Sequence, residues 1–396
     1  VRTAVVVGAG VGGLAAAGAL ARTGWQVTLI ERGDRLRGAG GAQVIWPNGA
    51  AALHALGLSL GDVAFPMPTG GIRRPDGRWL IQSAEPPEDA AGDPLVVHAD
   101  DLHDALMAGL GDKIEIRTAV DITVVRGGEA AHPAVGTSKQ TFEADLIVAA
   151  DGARSLIRRR LAPQSSVLSA GYTAWRAVIP WFRAPQLAEA AGEMLGSGHR
   201  FVYAALGDRG NSGGSTRGGI YWVATVPGAM RPESPAAQLN LLRRWFADWQ
   251  SPVAELLAVT EPTDIVQQPG EEVRPLPRQF GIPIGAGGVV LLGDAAHVSS
   301  PTLTQGACLA FEDAATLGFL MRSATPGTTL AQRLAEYTVA RRSRVSGIAR
   351  TSRRLGRLYQ AQGRLTVRAR DAALTRLSPR LLTRAAAAPH RWTPPA

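Results

Sequence analysis

Hydrophobic residues along the chain fall into three kinds of pattern. The first is a short apolar run, seen at Ala4–Val7, at Gln26–Ile30 where Thr28 interrupts it, and unbroken again at Leu146–Ala150 and Val289–Leu292. Runs of this length without alternation predict strands covered on both faces, as in a parallel sheet with helices on either side. Each run ends on glycine or acid. Gly8-Ala9-Gly10-Val11-Gly12-Gly13 follows the first and opens a small-residue helix to about Arg22. The second ends in Glu31, and the third in Asp151-Gly152 with Ser155 and Arg158 on a helix beyond. The fourth breaks on Gly293-Asp294, and after Pro301 a helix begins near Gln305.

The second pattern is β-rich and aromatic, from about Ser165 to Pro283. "GYTAWRAVIPWF", "HRFVYAAL" and "GGIYWVATV" predict strands, and the glycine-rich "GDRGNSGGSTRGG" a loop between the last two. "AQLNLLRRWFADW" has helical spacing. The third pattern is helical from about Thr329. There Leu355, Leu358 and Leu365 approximate one face, and Leu374, Leu377 and Leu381 mark a second segment ending near Pro379–Pro389.

Composition narrows the class. With 45% hydrophobic and 19% charged residues, the 396-residue chain is a folded protein large enough for two or three units. No apolar run approaches the roughly 18–20 residues that span a bilayer. The opening "VRTAVVVGAGVGG" is expected to be a strand, not a signal peptide. A lone cysteine, Cys308, excludes an intramolecular disulfide, gives no support to a Cys/His metal cluster, and points to a reducing cytoplasm. The net charge of +9 is local: residues 340–396 hold fourteen arginines against Asp371, leaving 28 basic and 32 acidic residues in the body. An arginine-rich amphipathic helix could touch acidic lipid or nucleic acid. Sparse aromatics and the lack of a nucleic-acid motif favour instead a helix packed across the two domains.

Gly8, Gly10 and Gly13 have the G-x-G-x-x-G spacing between a strand and a helix. The first permits the tight turn, the second lets a pyrophosphate approach the backbone, and the third lets the helix lie against the sheet. The helix amino end favours phosphate charge. Glu31 stands where a carboxylate accepts the ribose hydroxyls. Together these predict a dinucleotide site, with NAD and FAD both open. Asp151 and Asp294 stand just past strands, where ligands bind in open α/β sheets. Helix capping is the alternative use of each.

At this point the chain resembles the class A flavoprotein monooxygenases, typified by para-hydroxybenzoate and salicylate hydroxylases. "FEADLIVAADGARSLIRRRL" and "VVLLGDAAHVSSPTLTQGACLAFEDA" are similar to the family's DG and GD motifs, and "RGAGGAQVIWPNGAAALHALGL" and "GYTAWRAVIP" extend the match. The resemblance implies an α/β fold: a Rossmann-like FAD-binding domain of the glutathione-reductase/hydroxylase type, an inserted β-sheet domain and a long C-terminal helical segment. The FAD domain would take 1–75, 95–164 and 284–328, the substrate sheet 76–94 and 165–283, and the arginine-rich tail 329–396.

The resemblance also implies roles. Asp294 would bond the ribityl chain, Asp151 and Gly152 would sit at the pyrophosphate, and Arg32, Arg37, Ala295 and Ala307 would complete the FAD contacts. Pro301 would lie over the ring near the site of oxygen attack. Gln305 and Gly306 would begin a helix aimed at the flavin pyrimidine edge. Gln43, Arg176, Tyr203 and Trp222 are candidates for the substrate pocket, with His199 behind them. The activity implied is reduction of FAD by NADH or NADPH, addition of O2 to form a C4a-hydroperoxide, and hydroxylation or epoxidation of a small aromatic or polycyclic substrate. The flavin carries that chemistry, so no metal is required. A family without a separate nicotinamide domain accounts for the single glycine fingerprint, "GAGG" at 285–288 preceding its strand.

Two positions depart from the family: Ala99 stands where an arginine is usual, and Thr304 where glycine is usual. They imply a flavin seated differently or held more weakly. A flavin halogenase has W-x-W-x-I-P where this chain has Ala177 in "WRAVIP". A reductase or dehydrogenase without productive oxygen transfer, and a non-enzymatic FAD-fold binding protein, are the remaining alternatives.

Overall fold

The computed structural model describes residues 1–36, 40–67, 71–82, 92–126, 131–187, 191–207, 218–322, 327–376 and 388–395. The chain opens with β1 (Thr3–Val7), α1 (Val11–Arg22) and β2 (Gln26–Ile30). β3 (Ala42–Ile45), α2 (Pro47–Ala55) and β4 (Ala64–Pro66) follow, then the hairpin β5 (Gly71–Arg73) and β6 (Trp79–Gln82). β7 (Leu95–His98), α3 (Ala99–Ala108) and β8 (Ile114–Arg117) return to the first unit. A small antiparallel sheet, β9 (Val124–Arg126), β10 (Ala134–Gly136) and β11 (Thr141–Glu143), precedes β12 (Leu146–Ala149) and α4 (Leu156–Leu161).

The inserted region supplies β13 (Ser166–Pro180), β14 (Ala191–Leu195), β15 (Arg200–Ala205) and β16 (Gly219–Pro227). α5 (Pro235–Trp245), α6 (Val253–Val259) and β17 (Val266–Arg274) complete it. β18 (Gly281–Ile284), β19 (Gly287–Leu291), α7 (Asp294–His297) and α8 (Gly306–Leu320) rejoin the first unit. α9 (Leu330–Tyr359) and α10 (Arg364–Arg376) follow. None of the described helices is long and apolar enough to cross a membrane.

The main sheet has the order β18-β19-β12-β1-β2-β8, parallel except for β18. β12 and β19 are buried along their whole length, with α1 packed against β12 and α9 against β19. The second sheet runs β17-β13-β16-β15-β14-β5-β6. β5 belongs to this sheet along with β6, and β18 pairs inside the first, so both domain borders move by a few residues from the sequence expectation.

The tail crosses both units. Thr329 and Gln332 form a capping box that starts α9. The buried stripe of α9 runs Leu334, Tyr337, Arg341, Val345, Ile348, Ser352 and Gly356, not the leucine face read from spacing, and Leu365 is 80% exposed. Arginine enters this stripe because α8 presents Glu312 and Asp313 to it. Arg353 pairs with Glu272 of β17 at 2.7 Å, and Arg370 donates to the Gly196 carbonyl at 2.8 Å. Leu377 and Leu381 lie outside the described residues.

Candidate active site

Strand register aligns the motifs. Val7 lies opposite both Ile30 and Ala149, and Ala149 lies opposite Leu291. The loops leaving those residues carry the glycine turn, Glu31, Asp151-Gly152 and Gly293-Asp294, so all four share the carboxyl edge where α/β sheets bind ligands.

At the glycine turn, Gly8 has φ +104°, and a Cβ there would lie 2.3 Å from the Ala150 carbonyl oxygen. A Cβ on Gly13 would lie 1.8 Å from the Gly8 oxygen, while one on Gly10 would meet nothing within 4 Å. Gly8 and Gly13 are therefore packing residues. Gly10, which N-caps α1 without a side chain, leaves room beside the first amides of the helix. Glu31 accepts from the Ala9 and Gly33 amides, each at 2.9 Å, which holds its carboxylate beside the turn. Arg32 is exposed. Arg37 lies outside the described residues.

Asp151 does cap: one carboxylate oxygen accepts from the Leu156 amide at 2.8 Å. The other oxygen, Oδ1, is buried without a hydrogen-bond partner among the described residues. Such an atom fits a site that a polar ligand completes. Gly152, at φ +78°, has open space at its Cβ position. Arg158 is buried and donates to the carbonyls of Ala153 at 2.6 Å and Ala295 at 2.9 Å, joining α4 to α7. Desolvation lowers its pKa, partly offset by Asp151 and Asp294. Of three consecutive arginines on α4, only this one staples two motifs together, which spacing alone does not reveal.

Asp294 is open to solvent although protein surrounds it on most sides, as in a cleft. Partial desolvation raises its carboxyl above the usual range, against the pull of His297, Arg158 and Arg176. A Cβ on Gly306 would lie 3.9 Å from Asp294 Oδ1, so the start of α8 adjoins this carboxylate. Behind it, Asp313 accepts from the Gly293 amide at 2.9 Å and from Arg341 Nε at 2.6 Å, and its Oδ2 lies 2.7 Å from His297 Nε2. Burial alone would raise Asp313; the charges of His297 and Arg341 outweigh it and hold the carboxyl low.

Exposed Pro301 begins a tight turn whose Ser300 hydroxyl lies 3.0 Å from the Tyr172 hydroxyl on β13. Thr304 has φ +50°, the left-handed conformation that favours glycine, and its hydroxyl accepts from Trp46 Nε1 at 2.7 Å. Gln305 is buried as the N-cap of α8, and half-buried Ala307 follows Gly306. Cys308 packs against Gly49, and burial pushes its thiol up to about 12. Such a thiol is no nucleophile. Ala99, also buried, gives its amide to the Gly41 carbonyl at 2.9 Å.

Alternation sorts the substrate candidates. Trp175, Ala177, Phe201 and Trp222 point to one face of the second sheet, into the core under α5 and α6. Trp222 is fully buried there and donates to Thr260 at 3.1 Å, and Tyr203 packs against the same core. Neither reaches the face turned to the first domain, which corrects the sequence expectation; the phase of a two-residue period is invisible until one covered face is known. His199 stacks edge-on against Phe246 behind them. The opposite face carries Val178, Tyr221 and Val223. Arg176 stands on it beside Gly41 and Tyr221, where burial raises the tyrosine pKa and the arginine charge pulls it down. Tyr221 escaped notice in the sequence because it adjoins the larger Trp222. Gln43 is half-buried on β3, on the strand face opposite Ala42.

The glycine turn, the orphaned Asp151 oxygen and the α8 amino end fit a dinucleotide flavin along one edge. Comparison with known proteins gives the same answer. The family described as FAD binding domain matches residues 2–352. The chain is 31% identical over 388 residues to 2-heptyl-3-hydroxy-4(1H)-quinolone synthase of Pseudomonas aeruginosa, covering 95% of this chain and 94% of the other. It is 30% identical over 368 residues to aurachin C monooxygenase/isomerase of Stigmatella aurantiaca, covering 90% of each. Klebsiella pneumoniae HpxO complexed with FAD and uric acid superposes with a TM-score of 0.81 at 25% identity, over 98% of this chain and 96% of that one. The chain belongs to the FAD-binding family of class A flavoprotein monooxygenases, the FAD-dependent aromatic hydroxylases.

Proposed function

We propose that this monooxygenase takes electrons from NADH or NADPH and transfers one oxygen atom of O2 to a largely apolar, electron-rich aromatic substrate of fused rings. The observation that carries the substrate class is the sheet face opposite the start of α8. Val178, Val223 and Tyr221 make the part beside Gly41 apolar, with Arg176 among them, while Arg200 and Glu193 farther along the same face pair with each other at 2.7 Å. Relatives named for aurachin C and a heptyl quinolone support the same class. A cytoplasmic setting, where the reductant is available, completes the proposal.

Bound FAD supplies the electron storage and the oxygen activation. The first amides of α1 would face its pyrophosphate, with Gly10 leaving room for the approach and Asp151 Oδ1 and Gly152 beside it. Glu31 would accept the ribose hydroxyls, and Asp294 would bond the ribityl chain. The amino end of α8 at Gly306 and Ala307 would stabilise negative charge at the pyrimidine edge. Pro301 would border the reacting side of the ring, and Gln43 its approach. The apolar strands exclude water, while Arg176 and Tyr221 would orient an oxygen substituent of the substrate.

The test supplies NADH or NADPH under 18O2 with alkyl quinolones and, separately, simple benzoates. The expected result is stimulated NAD(P)H oxidation and a mono-oxygenated quinolone carrying one labelled oxygen. Oxidation of NAD(P)H with all oxygen recovered as peroxide, whichever ring is offered, would leave the reductase alternative in its place.

A further inference from the structure

We propose that the C-terminal segment around His390 is a wall of the flavin site, with His390 acting as a positioning residue for Gln305 and Trp46. The inference rests on the start of α8 being the flavin edge. A short turn at Ala388–His390 returns the chain to the front of α2 and α8. The His390 ring stacks on Trp46 with centroids 3.9 Å apart and planes at 7°, and its Nδ1 lies 2.8 Å from Gln305 Nε2. Pro389 is buried, and its carbonyl accepts from Arg344 at 2.6 Å. Trp46 in turn donates to Thr304. One imidazole thus touches partners on both sides of the left-handed turn that leads into α8. The threonine that departs from the family's glycine is the acceptor this arrangement uses.

The polarity of the contact is set from behind. Glu312 is buried and ion-paired with Arg341 at 2.8 Å and Arg344 at 2.9 Å, so it only accepts. Asn48 must turn its NH2 toward Glu312 at 2.7 Å, and the same NH2 reaches Gln305 Oε1 at 2.8 Å. Gln305 is left facing His390 with its own NH2. His390 Nδ1 must therefore accept, which requires a neutral ring protonated on Nε2. A second proton would set N–H against N–H and place a cation near Arg344 of α9. Trp46 and Asn48 on the α2 side and Gln305 on α8 offer no charge to compensate it, and Glu312 already serves two arginines.

Burial, then Arg344, lowers the His390 pKa from 6.5 to about 4. The sign follows. The docked ring resists a proton that the free ring accepts, so docking is complete above pH 6.5 and is progressively lost as pH falls from 6.5 toward 4. Release frees the Gln305 amide and unstacks Trp46, loosening the entry to α8.

The experiment titrates FAD into the full-length apoprotein at pH 7.5, 6.5 and 5.5, following flavin fluorescence and the visible bands of the bound flavin. Wild type is expected to lose affinity on acidification. His390→Ala is expected to bind FAD roughly fivefold to tenfold more weakly at pH 7.5, with the acid-dependent loss flattened. His390→Asn, whose amide oxygen replaces Nδ1 as a non-titrating acceptor, should recover much of the affinity and remain flat with pH. Wild-type affinity and pH profile in His390→Ala, while Gln305→Ala weakens binding or shifts the bands, overturn the role of His390 alone. If Gln305→Ala is also silent while Gly10→Val abolishes binding, the placement of the flavin edge at α8 fails and takes the inference with it. Thermal melts of each apoprotein separate unfolding from loss of the site.

Discussion

Gly10 and Gly13 stand three residues apart in one motif and answer to different constraints. Gly13 is wedged on the Gly8 carbonyl, and Gly10 faces open space. Gly10→Val should leave the apoprotein stable to within ~0.5 kcal/mol while reducing FAD affinity by at least tenfold. Gly13→Val should not yield folded protein; thermal melts and flavin titration check both. Thr304 is the second case. Its left-handed backbone costs about 1 kcal/mol relative to glycine, and its bond from Trp46 returns about 1 kcal/mol. Thr304→Gly should therefore leave stability nearly unchanged and raise the flavin retained through gel filtration, if His390 still holds Trp46 by stacking while the branched side chain is gone from the turn into α8. Equal flavin content in the two proteins would refute this expectation. The motif letters were legible in the sequence. Which glycine holds the turn and which leaves room for the ligand was not, because that depends on Ala150 and on a carbonyl five residues back.

Between elements, charge links α8, α9 and the α7 turn. Asp313 serves the Gly293 amide, His297 and Arg341 together, and Glu312 serves Asn48, Arg341 and Arg344. The Asp313 carboxyl lies below its ordinary value of 3.8, so its charge contributes stability that is present above that value and lost as pH falls through the lowered one. Melting temperature should begin to drop below about pH 5 and steepen toward pH 3. Asp313→Asn should flatten that acid limb and cost on the order of 3 kcal/mol at neutral pH, because buried Arg341 keeps Glu312 but loses the second of its two carboxylates, and His297 loses the same charge. A melting profile with the wild-type acid slope in the variant would show that other carboxylates control the limb. The "FEDA" acids fall inside an apolar helix pattern, and their partners lie in a different element. Nothing in the local sequence announces them except the arginines of the tail.

Across the whole molecule, the tail closes the fold. Leu334 packs where Gly281 and Gly288 leave no space for a side chain, and Tyr337 donates to the Leu291 carbonyl at 3.3 Å. Ser352 donates to Ser300 at 2.6 Å, directly behind Pro301. Arg353 and Arg370 reach the second sheet. Ending the chain at Thr328 should therefore expose β18 and β19, strand Asp313 and Glu312 without cations, and give insoluble or molten protein by near-ultraviolet circular dichroism. A truncated chain that folds and binds FAD would contradict this role. Within the local excess of arginine, open to lipid or nucleic acid as partners on charge alone, Arg341, Arg342, Arg344, Arg353 and Arg370 are held by carboxylates and backbone carbonyls of the molecule itself.

By itself the sequence determined the parallel sheet, the glycine turn and the two aspartates after their strands, because apolar runs and fixed spacings are local properties, and its resemblance to a family pointed to a flavin. Tertiary structure alone decided which side of each inserted strand meets the first domain, turning Tyr221 and Arg176 one way and Trp222 and Tyr203 the other. It also decided that Arg158, Glu312 and His390 act across gaps of many residues. The physical reason is that a strand's phase and a buried charge's partner are set by what packs against them, and those neighbours are distant in the chain.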